Sequence, residues 1–197
     1  MARKPSRARL RFETVGSITA IIVGVAALYV SWDQARVMRA QQHASVLPAI
    51  QIDGFQTRDG DMASIGLRIR NAGVGPAIIS SVSLTRLGQP SEDIAPIIEL
   101  LPEGFDLSWT TMIVRGVAAG ETVEAISFHW PAGALSSEQG AALGAEWTSW
   151  DVSVCYCSVF ERCWIAETRG VGAGAHSVRA CPAPDYDLFE RIGAQGL

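Results

Sequence analysis

Between Thr14 and Trp32 the chain runs through 19 residues without a single charge. At about 1.5 Å rise per residue, a helix of that length crosses the ~30 Å hydrocarbon core of a bilayer. Tyr29 and Trp32 close the run, where amphipathic rings favour the headgroup level. Arg3, Lys4, Arg7, Arg9 and Arg11 precede it, against only Glu13, whereas Arg36 and Arg39 alone follow closely. The positive-inside rule then keeps the N-terminus in the cytoplasm and exports everything beyond the span. A cleavable signal peptide shares the basic start and the apolar middle. This run is long for one, and bulky Tyr29 and Trp32 stand where small residues mark cleavage. The reading carried forward is an uncleaved anchor.

That reading divides the chain into a basic cytoplasmic tip (1–13), a transmembrane helix (14–32), a helical stalk (33–46) and an exported domain (47–197). The stalk contains good helix formers and no Gly or Pro before Pro48, and His43 is a solvated stalk residue. Gly16, Ala20 and Gly24 lie four apart on one helix face, a small-xxx-small pattern that permits a homodimer or contact with a partner membrane protein. The same residues are also common in any such helix. The domain is acidic, its basic residues all arginine and outnumbered by carboxylates. Such a surface repels phosphate backbones, so the partners expected are the lipid bilayer and proteins, not nucleic acid.

From Val46 the apolar pattern changes to period two, the mark of strands. Strands are expected at Ala49–Phe55, Met62–Asn71, Ala77–Leu87, Leu107–Arg115, Thr122–Trp130, Trp147–Cys157 and Cys163–Glu167, with a hairpin turn at Asp59-Gly60. A short helix is expected over Glu92–Leu101, a loop with a helical turn or two over Pro131–Ala145, and a short helix near Leu188–Ile192. Seven short strands without βαβ alternation argue for a mainly β fold, an antiparallel immunoglobulin-like β-sandwich behind the transmembrane helix.

The segment Leu67-Arg-Ile-Arg-Asn71-Ala-Gly73-Val-Gly75-Pro76-Ala77 resembles a corner of bacterial immunoglobulin-like adhesion and scaffold domains. It is also similar to a segment of single-span bacterial envelope proteins of uncharacterised role, which place it soon after an anchor and stalk. Asn71, Gly73 and Gly75 tolerate a sharp bend, and Pro76 blocks ladder pairing, so the motif is a structural corner. A phosphate loop would need a following Lys-Ser/Thr and a helix, and neither is here.

Cys155, Cys157, Cys163 and Cys181 all lie in the exported part, and an even number there reads as two disulfides. Trp150, Val152, Val154 and Tyr156 form the apolar face of their strand, so Cys155 and Cys157 share the other face, about 6.5 Å apart and parallel. That geometry disfavours a bond between them. A turn centred on Phe160 sets Cys157 opposite Cys163 and leaves Cys155 for Cys181, pinning the 171–175 tail. A turn shifted by one residue pairs Cys155 with Cys163 instead. A metal site would use paired C-x2-4-C knuckles, which these spacings lack; no metal, cofactor or catalytic residue is expected. His129 reads as structural, and His176 lies in the Gly-Ala tail. The pairs Glu121/Glu124 and Asp185/Asp187 read as solvated carboxylates. Trp147, Trp150 and Trp164 crowd the last hairpin as core, or as an aromatic surface for a partner or glycan. The function expected is a non-enzymatic interaction or accessory module of the bacterial inner membrane, its domain periplasmic. The other reading is a tethered periplasmic sensor or enzyme that uses the cysteine hairpin and its aromatic neighbours.

Overall fold

The computed structural model describes residues 7–168 and 175–195 and separates into two units, Met1–Ala44 and Ser45–Leu197. The first is helix α1, Arg7–Ala44, unbroken for 38 residues, or about 57 Å at 1.5 Å per residue. Its segment Val15–Gln42 is long and apolar enough to cross a membrane. The helix runs on past Trp32 because the polar residues that follow are also good helix formers. Gly16, Ala20 and Gly24 are exposed on it, and a Cβ at either glycine would meet nothing within 4 Å. Of the basic tip, residues 1–6 lie outside the described residues.

The second unit is mainly β and entirely antiparallel in its pairings among the described residues. One sheet takes β1 (Ile50–Asp59), β2 (Met62–Asn71), β7 (Thr122–Pro131) and β5 (Asp106–Trp109), in that order. The other runs β10 (His176–Val178), β9 (Cys163–Glu167), β8 (Trp150–Cys157), β3 (Ala77–Arg86) and β4 (Gln89–Ser91), with β6 (Gly116–Val117) also on β3. A single apolar cluster draws on both, with Ile65, Leu67, Ile69, Ile126 and Phe128 from the first and Ile79, Leu84, Val152, Val154 and Tyr156 from the second. Helices α2 (Ala95–Ile98), α3 (Ser137–Trp147) and α4 (Leu188–Gln195) add Ile97, Leu143, Phe189 and Ile192.

Two bulges make this core from strands whose sequences do not alternate cleanly. Ile79 pairs with Tyr156 but Ser81 pairs with Cys155, so Ser80 is an extra residue in β3. The inward set therefore switches from Ala77 and Ile79 to Val82 and Leu84, with Ser81, buried beside Cys155, and exposed Ser83 on the alternate face. In β7 the register skips Ala125, between Leu67↔Ile126 and Arg68↔Glu124. Both are two-against-one insertions that re-aim a strand without breaking its sheet.

Several expectations need correction. The strand expected over Leu107–Arg115 stops at Trp109, and the backbone of Met112 and Ile113 is claimed by a side chain described below. Helix α2 is shorter than expected, because Gln89–Ser91 first folds back on β3. The expected 131–145 loop contains the three-turn α3, capped by Ser136 and Gln139, each accepting from the other's backbone N–H at 3.2 and 2.9 Å. Trp147 ends that helix and is not in a strand. His176 opens β10 opposite Ile165; residues 169–174 of the tail before it lie outside the described residues.

The bend between β2 and β3 is organised by Asn71, which is fully buried. Its Oδ1 accepts from the N–H groups of Ala49 (3.1 Å) and Gly73 (2.9 Å). Its Nδ2 donates to the carbonyls of Gly75 (2.8 Å) and Val117 (3.0 Å). A Cβ at Gly73 would collide with the Leu47 carbonyl, and one at Gly75 with that of Val46, so glycine is required by close approach of another backbone. Asn71→Ala removes four hydrogen bonds and leaves buried polar groups unpaired, each costing about 1–3 kcal/mol. A loss of about 3 kcal/mol or more is expected in urea unfolding of the full chain. Asn71→Asp, which turns an acceptor toward two carbonyls, should be at least as damaging.

Candidate functional site

The hairpin β8–β9 places the four cysteines. Its register sets Cys157 directly opposite Cys163, and the two are bonded, with their Cα atoms 4.0 Å apart. Cys155 is bonded to Cys181, with a Cα separation of 5.7 Å. No free cysteine remains. The five-residue turn closes through Ser158, whose N–H donates to the Arg162 carbonyl at 2.8 Å. Glu161 adopts φ +58° to complete it.

The two bridges are neighbours. Cys157 Sγ lies 3.7 Å from Cys181 Sγ, and Ser80 Oγ, on the β3 bulge, is 3.7 Å from Cys157 Sγ. Cys155 and Cys163 are buried, while Cys157 and Cys181 are half-exposed. The sulfurs of Cys157, Cys163 and Cys181 also fall within 4.8 Å of one another. Metal ligation would require thiolates, and each of these sulfurs is spent in a disulfide. On the opposite face of the hairpin Tyr156 and Trp164 stack, with ring centroids 5.9 Å apart. Burial pushes the Tyr156 phenol above its usual range, against a smaller opposing effect of a hydrogen bond with the Ile50 backbone.

Two carboxylates, Asp187 and Glu146, hold distant parts of the unit together. Asp187, read above as solvated, is only 7% exposed. Its Oδ1 caps α4 by accepting from Phe189 and Glu190 N–H (3.0 and 3.1 Å). Its Oδ2 accepts from Met112 and Ile113 N–H, both at 2.6 Å. One side chain thus starts a helix and holds the segment where the expected strand fails. The Asp187-Leu-Phe-Glu190 spacing carries the N-cap half of this arrangement. The long-range half leaves no local trace. Asp185 remains exposed.

Glu146, at the end of α3, faces Arg86 in a two-pronged pair, Nε–Oε1 at 2.7 Å and a second nitrogen to Oε2 at 3.0 Å. Trp150 Nε1 also donates to Oε1, at 2.8 Å. The Arg86 hydrogen bond, aided by the Trp150 hydrogen bond, the Arg86 charge and the Ser149 hydrogen bond in that order, outweighs desolvation and holds the carboxyl at about 2. His129 is half-buried, its Nε2 3.0 Å from Ser127 Oγ. Glu121 accepts from Ala118 N–H at 2.7 Å, and Glu124 pairs with Arg68 at 2.9 Å. Arg68 in turn lies 3.8 Å over the Phe55 ring.

Because the folded state favours the ionised Glu146, its contribution is complete above the ordinary value of 4.5 and is lost as pH falls toward about 2. Glu146→Gln should therefore lower stability by about 1–2 kcal/mol at neutral pH. Thermal melts of the two proteins should converge as the buffer is taken from pH 5 to about 2. A gap that stays constant across that range would show that the charge of Glu146 is not what matters.

None of the curated proteins matches the chain. A family match covers residues 14–162, from the start of the apolar run to the turn of the cysteine hairpin. The chain belongs to the family described as a domain of unknown function, DUF8453.

Proposed function

We propose that the protein is a membrane-anchored, extracytoplasmic interaction or accessory module without catalytic activity, resident in a bacterial inner membrane with its N-terminus in the cytoplasm. The observation that carries this reading is the pairing of all four cysteines into two disulfides in the unit that follows an apolar helix. Disulfides form and persist on the oxidising side of a membrane, and the basic residues before the helix favour that same direction of export. The two antiparallel sheets and their shared core suit an immunoglobulin-like sandwich, of the kind the Asn71-Gly73-Gly75-Pro76 corner suggests. Groups of the type used in acid–base chemistry are engaged in holding the fold: Asp187 in four backbone hydrogen bonds, Glu146 with Arg86 and Trp150, His129 with Ser127. The acidic domain argues against nucleic acid as a partner. The face of Gly16, Ala20 and Gly24 offers a route to a homodimer or to a partner's helix.

A redox sensor is the second reading, favoured by the 3.7 Å contact between Cys157 and Cys181. An external dithiol that reduced the 157–163 bridge would be oxidised to its own disulfide. The Cys157 thiolate so formed would then lie beside Cys181, able to bond to it and displace Cys155 as the leaving thiolate.

Cross-linking of the full chain in native membranes separates these readings. An interaction module should give a stoichiometric cross-linked complex whose yield is unchanged by mild reductant and lost when Gly16 and Gly24 are both changed to Leu. A complex that forms or dissolves with reductant, regardless of the helix, would favour the sensor. A domain shielded from protease added outside the cytoplasmic membrane would sink both.

A further inference from the structure

The core of the β unit is not filled. A cavity of about 260 Å³ lies between the two sheets, walled by Leu67, Ile126 and Phe128 on one side and Leu84, Trp150 and Val152 on the other. Protein interiors are close-packed, with few voids larger than a water molecule, and a water's share of liquid volume is roughly 30 Å³. This space is about nine times that. Phe189 and Ile192 of α4 also line it, and both are buried. The exposed members of the lining are Gly54 and Thr148, with Trp147 and Thr168 half-exposed, and Trp147 lies against Gly54, so the mouth lies where α3 ends against β1. A Cβ at Gly54 would come within 2.8 Å of Trp147 Nε1. The glycine therefore gives the indole its seat at the mouth.

The chemistry of the walls restricts what fits. Among the described residues no ionisable side chain lines the space. Of the polar side-chain groups that do, three are already engaged: Trp150 Nε1 donates to Glu146, Thr148 Oγ1 to the Ala145 carbonyl and Thr168 Oγ1 to Asp151; the fourth, Trp147 Nε1, sits at the mouth beside Gly54. Water inside would find few partners, and an apolar cavity stays dry and takes up apolar guests; one of ~150 Å³ already accepts benzene. A charged guest would be desolvated with no counter-charge.

We propose that this cavity is a binding site for a small, uncharged, apolar molecule, with a compact alkyl or ring body of roughly eight to twelve carbon-sized atoms. The guest enters beside Trp147 and packs between the two sheets. The site is independent of the interaction reading above, since it lies within the β unit and needs neither the disulfides nor the anchor face.

The test uses the full chain in lipid nanodiscs with ¹³C-labelled Ile, Leu and Val methyls, titrated with octan-1-ol and, separately, with octanoate. Octan-1-ol should shift the methyls of Leu84, Val152 and Ile192 in a saturable way and leave those of Val114 and Val159 in place. Octanoate should bind at least tenfold more weakly. Val152→Phe and Ile192→Phe fill the space from β8 and from α4, and whichever folds should lose the shifts while melting no lower than the wild type. Cavity methyls that do not respond to octan-1-ol would overturn the proposal. So would shifts that survive in a folded filling variant, and equal binding of octanoate would overturn its restriction to uncharged guests.

Discussion

The buried amide of Asn71 is the constraint on which the β unit depends. It joins three stretches of chain through four hydrogen bonds: the backbone arriving at Ala49, its own bend at Gly73 and Gly75, and β6 at Val117. Each of its hydrogen-bonding positions is used, which is what allows a primary amide to sit at zero exposure. The bend it forms carries the chain from β2 in one sheet to β3 in the other. Without that crossing, the apolar faces of β2 and β3 would have no reason to meet. Gly73 and Gly75 are part of the same device, because the 46–49 segment passes too close for any side chain.

Much of this was readable in advance where the period-two pattern is long and its turn chemistry explicit. Met62–Asn71 and Thr122–Pro131 alternate apolar and polar residues over most of their length, and the hairpin turn is announced by Asp59-Gly60, with φ +56° at the glycine. The corner was legible because Asn, Gly and Pro have few other uses in that order. What escaped was of two kinds. Some signals were present but overridden by composition: Ser136 and Gln139 form a capping box, yet the Gly- and Ala-rich stretch after them reads as loop. Others have no local signature. The bulge at Ser80 appears only when β3 is set against β8, and the demand of Asp187 for the N–H groups of Met112 and Ile113 spans more than 70 residues.

The outer parts of the unit are fastened by polar clamps where the apolar core does not reach. Asp187 ties α4 to the 110–115 segment, and Glu146 ties α3 to the end of β3 through Arg86. The bridge to Cys181 fastens the chain beyond β10 to β8. Between α3 and α4 the sheets keep a space that their side chains do not close. Clamps at the rim with an open interior permit a guest without loss of the frame.

The disulfides connect this architecture to its compartment. A β8–β9 hairpin with Cys157 opposite Cys163 closes in an oxidising environment, and in the proposed topology the apolar helix supplies the way there. The direct measurement is peptide mapping, by mass spectrometry, of the full chain isolated from its own membranes after alkylation without reductant. Peptides joined through Cys155–Cys181 and Cys157–Cys163 are the expected result. Four alkylated thiols in that preparation would place the domain in a reducing compartment and contradict the account.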